Sequence, residues 1–277
     1  DLSAGSFNSI RLLAGASGTT GALEYGFSAE RYQSDGFNAT PARMALSGNE
    51  RDGGEITTVT ATVSYALGNG FTLSGLARHR ESASDFDTFS GGPGFSQRAD
   101  DRGLEISRND QTLWRAGLGW ESADERLTST LRLGDVRNDR ESRDGGAVTD
   151  VNAARRSFAE WLNTWQPQGF DTLQPVIAFG LHAERDSIVT DTAFNNPLSR
   201  AENNTGAYLN LQFLAADALD LPASLRVDDF DGFGTQTNWA LGAVWSIPQT
   251  PFQLVARYAT AFKAPTLSER FASSAFT

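Results

Sequence analysis

The chain has no cysteine, one methionine and two histidines among its 277 residues. Without cysteine there is no disulfide scaffold, no thiolate zinc site and no thiol nucleophile. Two histidines, His79 and His182, leave little for a histidine metal centre. Positive charge is also scarce: 23 Lys and Arg against 34 Asp and Glu give a net charge of −11. A surface this acidic repels a phosphate backbone, so no nucleic-acid partner is expected. Asp1 to Phe7 has neither a basic start nor an apolar core, so no signal peptide is read there. Nor does any run approach the ~18 apolar residues of a transmembrane helix. A transmembrane β-strand, however, needs only about 9–11 residues, apolar at every second position, and leaves overall hydropathy low. Glycine is abundant, at 27, and aromatics make up 10% of the chain, so wholesale disorder does not fit.

What the sequence does contain is period two. In Thr58 to Leu67 every odd position from Val59 is apolar and the even positions are mostly hydroxylated or small. One face of such a ribbon favours an apolar medium and the other favours water. The same alternation runs through Leu23, Tyr25 and Phe27; through Trp114, Ala116, Leu118 and Trp120; and through Leu173, Ile177, Phe179 and Leu181. It returns in Ala207, Leu209, Leu211 and Phe213, in Trp239, Leu241, Ala243 and Trp245, and in Phe252, Leu254, Ala256 and Tyr258. Around Phe158 and Leu162 the register is ambiguous, because Trp161 and Trp165 compete for the same face. The pattern predicts strands at 8–17, 21–36, 55–67, 70–85, 109–121, 125–140, 153–165, 171–187, 204–214, 222–230, 236–247 and 251–262, with a stub at 1–5 and no convincing helix.

The connections alternate in size. Tight turns are expected at Gly18-Thr19-Thr20, Gly68-Asn69-Gly70, Ser122-Ala123-Asp124 and Pro248-Gln249-Thr250. Long polar loops are expected at Asp35 to Gly54, Phe86 to Arg108, Glu141 to Asn152 and Ser187 to Asn203. Short turns at one end and long loops at the other predict an antiparallel transmembrane β-barrel of the outer-membrane type. A soluble sandwich also alternates, but its solvent face carries many Lys and Glu, whereas here that face mixes Thr, Ser, Gly, Asn, Gln and Arg, as a wet lumen does. Trp114 with Trp120, Trp239 with Trp245, and Phe252 with Tyr258 place paired rings on one face, six residues apart. At ~3.3 Å per residue and a tilt near 40° that spacing rises about 15 Å, which suits rings along the margins of a bilayer's apolar band. Arg78, Arg115, Arg132 and Arg257 then face inward, lining the lumen.

The segment Arg257 to Phe271, and within it Phe262-Lys263-Ala264-Pro265-Thr266-Leu267, resembles the Y-x-T-x-F-K-A-P-T-L-x-x-L-Y/F block of TonB-dependent outer-membrane receptors. In residue terms a strand ends at Phe262, and Pro265 offers no ladder donor, so the chain must leave the sheet. Ser34-Asp35-Gly36-Phe37, Asn49 to Gly53, Ser84 to Asp87 and Arg226 to Asp231 follow in the same family's order, most like its cobalamin (vitamin B12) receptor group. The resemblance implies a bacterial outer-membrane importer, not an enzyme, that captures cobalamin or a ferric siderophore with its outside loops and is driven by the TonB complex through a plug domain. Such barrels have about 22 strands. Residues 1–277 are therefore expected to be a partial barrel of about 12 or 13 strands, without the plug and the closing strands, and its two open edges are expected to prevent refolding as a closed monomer. A passive porin and a soluble β-rich binding module are the competing classes.

Acidic side chains gather in and beside the expected loops, among them Asp52, Glu81, Asp85, Asp87, Asp100, Asp101 and Asp139. Hard oxygens from several loops suit Ca²⁺. The resemblance implies calcium here as well, with Asp52, Glu81, Asp85 and Asp87 as candidate ligands and Asp87 at the position of one family carboxylate. His182 lies two residues from Glu184 and His79 two from Glu81, but neither sits in a nucleophile motif, so lumen or rim histidines are expected.

Overall fold

The computed structural model describes residues 1–40, 45–48, 50–89, 99–101, 104–170, 172–192, 195–215 and 218–271. The strands in chain order begin with β1 (Leu2–Gly5), β2 (Ser9–Thr20), β3 (Leu23–Phe37), β4 (Ala45–Gly48), β5 (Asp52–Gly68) and β6 (Phe71–Asp85). Next come β7 (Thr88–Phe89), β8 (Ala99–Asp101), β9 (Glu105–Glu121), β10 (Leu127–Asp144) and β11 (Ala147–Trp165). The last are β12 (Leu173–Thr192), β13 (Asn195–Ala215), β14 (Leu219–Phe230), β15 (Gly234–Ser246) and β16 (Gln253–Ala259), followed by a single helix, α1 (Leu267–Phe271). Thirteen of the strands form one antiparallel sheet in the order β1-β2-β3-β5-β6-β9-β10-β11-β12-β13-β14-β15-β16. Among the described residues β1 and β16 do not pair with each other.

The register decides which side chains share a face. Ala77 lies opposite Trp114, Leu118 opposite Leu131, Leu131 opposite Trp161, and Trp161 opposite Leu181. The row continues through Ala207 and Val227, and below it Leu225 faces Trp239 and Leu241 faces Tyr258. These side chains form one continuous apolar exterior. It is not a core: Trp114 is 45% exposed, Trp245 44% and Tyr258 67%, while among the described residues the buried hydrophobic side chains are Ile188 and Leu267. A soluble sandwich of this size would hide such indoles in a dry centre. The register also orients β11, which alternation left open: Trp161 and Trp165 face outward, and Trp161 donates to the Ser129 hydroxyl at 2.9 Å. Phe158 and Leu162 take the other face, where the Phe158 ring occupies the space a Cβ on Gly134 would need.

From the level of Trp114 upward the exterior turns polar, first with the Asp135 carboxylate opposite Trp114, which accepts from Arg155 at 2.7 Å and from Ser157 at 2.6 Å, and then with His79 and Arg137. Trp120, Trp165 and Trp245 lie at the opposite margin, beside the short turns. Arg78, Arg115, Arg132 and Arg257 all fall on the inner face, where Arg132 stands opposite Glu160.

Three expectations change. The regions Glu141 to Asn152 and Ser187 to Asn203 are mostly strand, so β10 and β11 meet at Gly145-Gly146, and β12 and β13 are joined across 193–194. The first turn falls at Gly21, with φ 57°, because β2 runs on through Thr20. Helix α1 exists although none was expected. Thr266 and Glu269 cap it reciprocally: the Thr266 N–H donates to the Glu269 carboxylate at 2.7 Å, and the Glu269 N–H to the Thr266 hydroxyl at 3.2 Å.

Candidate functional site

Two long loops, between β3 and β5 and between β6 and β9, rise from the same end of the sheet. Their short strands β4, β8 and β7 join in a second, three-stranded sheet, so the loops meet above the rim. Beneath them lies a carboxylate group. One oxygen each from Glu50, Asp52 and Asp87 falls within 4.8 Å of the others.

Local sequence explains this gathering. A bulge between Ser34 and Phe37 bends the end of β3 toward β5, and it needs Gly36 at φ 64°, because a Cβ there would overlap the Asp52 carbonyl. Asp52 then accepts the Ala39 N–H at 2.7 Å. The Asn38 side chain accepts the Thr40 N–H at 2.7 Å, and the Thr40 hydroxyl donates to Asp87. The second Asp87 oxygen is buried and has no hydrogen-bond partner among the described residues. Asp85 ends β6 about eight residues beyond the apolar band. Burial pushes its carboxyl above the ordinary range; the Gly53 N–H it accepts pulls it back, and the nearby Asp52 charge adds to the rise. Clustered carboxylates, one of them unsatisfied, form a hard-oxygen donor set of the kind that Ca²⁺ takes.

Of the sequence candidates, Asp52 and Asp87 come together, with Asp85 beside them. Glu81 is elsewhere. It lies on the outer face with His79 and Asp110, where His79 Nε2 is 3.2 Å from Glu81 and Nδ1 is 3.7 Å from Asp110. His79 is thus an outer-face residue near the rim rather than a lumen residue. Glu50 was missed, since nothing in the sequence brings position 50 to position 87 before the loops are folded. The strand expected to run to Phe262 ends at Ala259, with Thr260 the last residue bonded to its neighbour, so Phe262, Lys263, Ala264 and Pro265 already lie off the ladder.

The inner wall carries a second polar constellation. His182 Nε2 is 3.1 Å from Asp228 and 3.2 Å from the Arg226 guanidinium, which itself clasps Asp228 at 2.7 and 2.8 Å. Asn204 donates toward His182 and Glu184, at 3.3 Å each. The His–Asp pair lies over Gly206, where a Cβ would overlap both. Arg156 grips Asp186 with two hydrogen bonds of 2.6 Å. His182 and Asp228 are almost buried, and the hydrogen bonds from Arg226 and Asn204 brace them against the wall.

The chain is 25% identical over 262 residues to the vitamin B12 transporter BtuB of Photobacterium profundum, covering 93% of this chain and 39% of that protein. It is 30% identical over 140 residues to the vitamin B12 transporter BtuB of Vibrio vulnificus, covering 49% of this chain and 22% of that protein. The chain therefore spans about two fifths or less of these curated relatives. Among solved structures, the siderophore receptor PirA from Pseudomonas aeruginosa superposes with a TM-score of 0.72 at 14% identity, covering 94% of this chain and 40% of that one. The ferripyoverdine receptor of the same organism's outer membrane superposes with 0.69 at 14% identity, covering 93% and 41%. The family described as "TonB dependent receptor-like, beta-barrel" matches residues 59–277. This chain belongs to that family of outer-membrane receptors and transporters, with thirteen antiparallel strands of the barrel wall in hand.

Proposed function

We propose that the chain forms the outer rim and part of the lumen wall of an active importer for a large, scarce nutrient, cobalamin in the first place. The likeness to the vitamin B12 transporter of Photobacterium profundum across 93% of the chain carries this choice of cargo. The converging loops above the Glu50, Asp52 and Asp87 group supply a capture surface that a passive porin does not need. The two solved structures named above are a siderophore receptor and a ferripyoverdine receptor, so a ferric siderophore is the second reading. Energy would come from the TonB complex acting through a plug, and this wall would hold that plug by its inner arginines and carboxylates. The test is uptake of labelled cyanocobalamin by cells lacking their own receptor and carrying the full-length gene. Accumulation that requires TonB is the expected outcome. Uptake of ferric chelates instead promotes the second reading, and TonB-independent leakage of small solutes would turn the assignment to a porin.

Calcium belongs to the same reading. Oxygens within 4.8 Å of one another can share one ion at the usual ~2.4 Å, so Glu50, Asp52 and Asp87, with Asp85 adjacent, would hold Ca²⁺ and fix the loops. Calorimetry of the full-length receptor with Ca²⁺ should show a binding heat that Asp87→Asn abolishes. No heat above buffer in the unaltered receptor ends the calcium assignment while leaving the cargo assignment untouched.

A further inference from the structure

Beyond β16 the chain turns back across the inner face. Thr260 still bonds the Trp239 carbonyl at 2.9 Å, but among the described residues no backbone hydrogen bond ties residues 262–271 to the sheet. Side chains alone hold this segment. The Phe262 ring sits 5.9 Å from both Phe230 and Phe233. Leu267 is buried against the wall. The Arg270 guanidinium hydrogen-bonds Glu202 and stacks over Phe233, 4.3 Å from its centroid. Both members of this ion pair are about four-fifths buried, at 19% and 21% exposure. Gly232, in the β14–β15 turn, supplies the room, because a Cβ there would overlap the guanidinium and the Glu202 carboxylate. Between residues 264–268 and the wall lies a chamber of about 380 Å³, bordered by Asn138, Ala154, Glu184, Asn204 and Phe230.

We propose that residues 262–271 are a cover over this chamber and that Arg270 is its latch. A segment without ladder bonds can lift as a unit while every strand stays paired. Thr260, the last residue bonded to the sheet, and Pro265, which has no backbone donor, set the limits of the hinge. Arg270 closes the far end with a charge-assisted, partly desolvated hydrogen bond and a cation–π contact, each stronger there than in open water. When Arg270 lets go, the chamber opens toward the loop side of the barrel. The inference does not depend on which nutrient is carried.

The test uses the full-length receptor in whole cells, with any cysteine outside residues 1–277 replaced by serine and Ile188→Cys as a reporter, because Ile188 borders the chamber and is buried, and residues 1–277 contain no cysteine. With the latch intact, a membrane-impermeant maleimide should label position 188 slowly. Glu202→Gln or Arg270→Met should raise the rate about tenfold or more, the factor carried by one charge-assisted hydrogen bond. The double reversal Glu202→Arg with Arg270→Glu should restore protection. Gel mobility with and without heating verifies that each variant is folded. If Arg270→Met does not reach the membrane, Arg270→Lys, which keeps the charge and loses the fork, should label at an intermediate rate. Equal labelling of all folded variants, or a double reversal as reactive as the single ones, would overturn the proposal.

Discussion

At the scale of residues, the inner wall shows how one missing atom determines a contact. Gly206 has no Cβ, and the His182 and Asp228 side chains fill the space it leaves. Gly206→Ala should cost about 1–3 kcal/mol through overpacking, read as a lower urea midpoint of the full-length receptor in detergent. An unchanged midpoint would show that the pair can shift at no cost. Glu269 gives a pH-dependent test. The Thr266 N–H and hydroxyl hold its carboxyl below the ordinary value, with Lys263 adding a little. A depressed carboxylate stabilises the fold above its unfolded pKa and loses that contribution as pH falls through its folded pKa. Protection of the Glu269 and Arg270 amides, taken relative to the intrinsic exchange rate at each pH, should therefore fall as pH drops below the ordinary Glu value of about 4.3, and the Glu269→Gln chain should show a smaller change. The inward arginines and outward indoles were legible from alternation alone. The grouping of Glu50 with Asp87 was not, because it depends on a bulge and on loop bonds such as Ala39 to Asp52. Glu81 misled for a simpler reason: four residues of strand, about 13 Å, separate it from Asp85.

At the scale of elements, strand identity was readable where the wall meets lipid and fell away above it. From Glu141 to Asn152 polar residues predominate on both faces of β10 and β11, and Val148 and Val151 stand opposite Arg143 and Glu141, so period two vanishes while the ladder continues. Water on both sides removes the pattern without removing the strand. The helix had a signal that was overlooked, Thr266-Leu267-Ser268-Glu269, a capping box directly after Pro265. Thr266→Ala should loosen α1 by about 1 kcal/mol, seen as faster amide exchange confined to residues 267–271. Position matters as strongly across a strand. Leu131 lies in the outer row between Leu118 and Trp161, and Leu131→Arg should cost about 2–4 kcal/mol in folding from urea into vesicles. Its neighbour Arg132 already carries that charge on the inner face. A negligible cost at 131 would place it outside the apolar band.

At the scale of the molecule, the sheet is a wall with two faces and no dry centre. Its end strands β1 and β16 present unpaired edges to each other's absence among the described residues. Edges of that kind are costly in lipid and prone to association in water, so residues 1–277 expressed alone should not give a heat-modifiable, protease-resistant monomer in detergent. The direction of each face underlies everything else, from the placing of the capture loops to the chamber under α1. It is tested most directly by single cysteines along β9 of the full-length receptor in lipid vesicles, each carrying a spin label and exposed in turn to dissolved oxygen and to a water-soluble nickel chelate. Labels at 114, 116 and 118 should relax with oxygen and ignore the chelate, while labels at 113, 115 and 117 should do the reverse. Labels at 114 and 118 that met the chelate as readily as those at 113 and 117 would contradict the account.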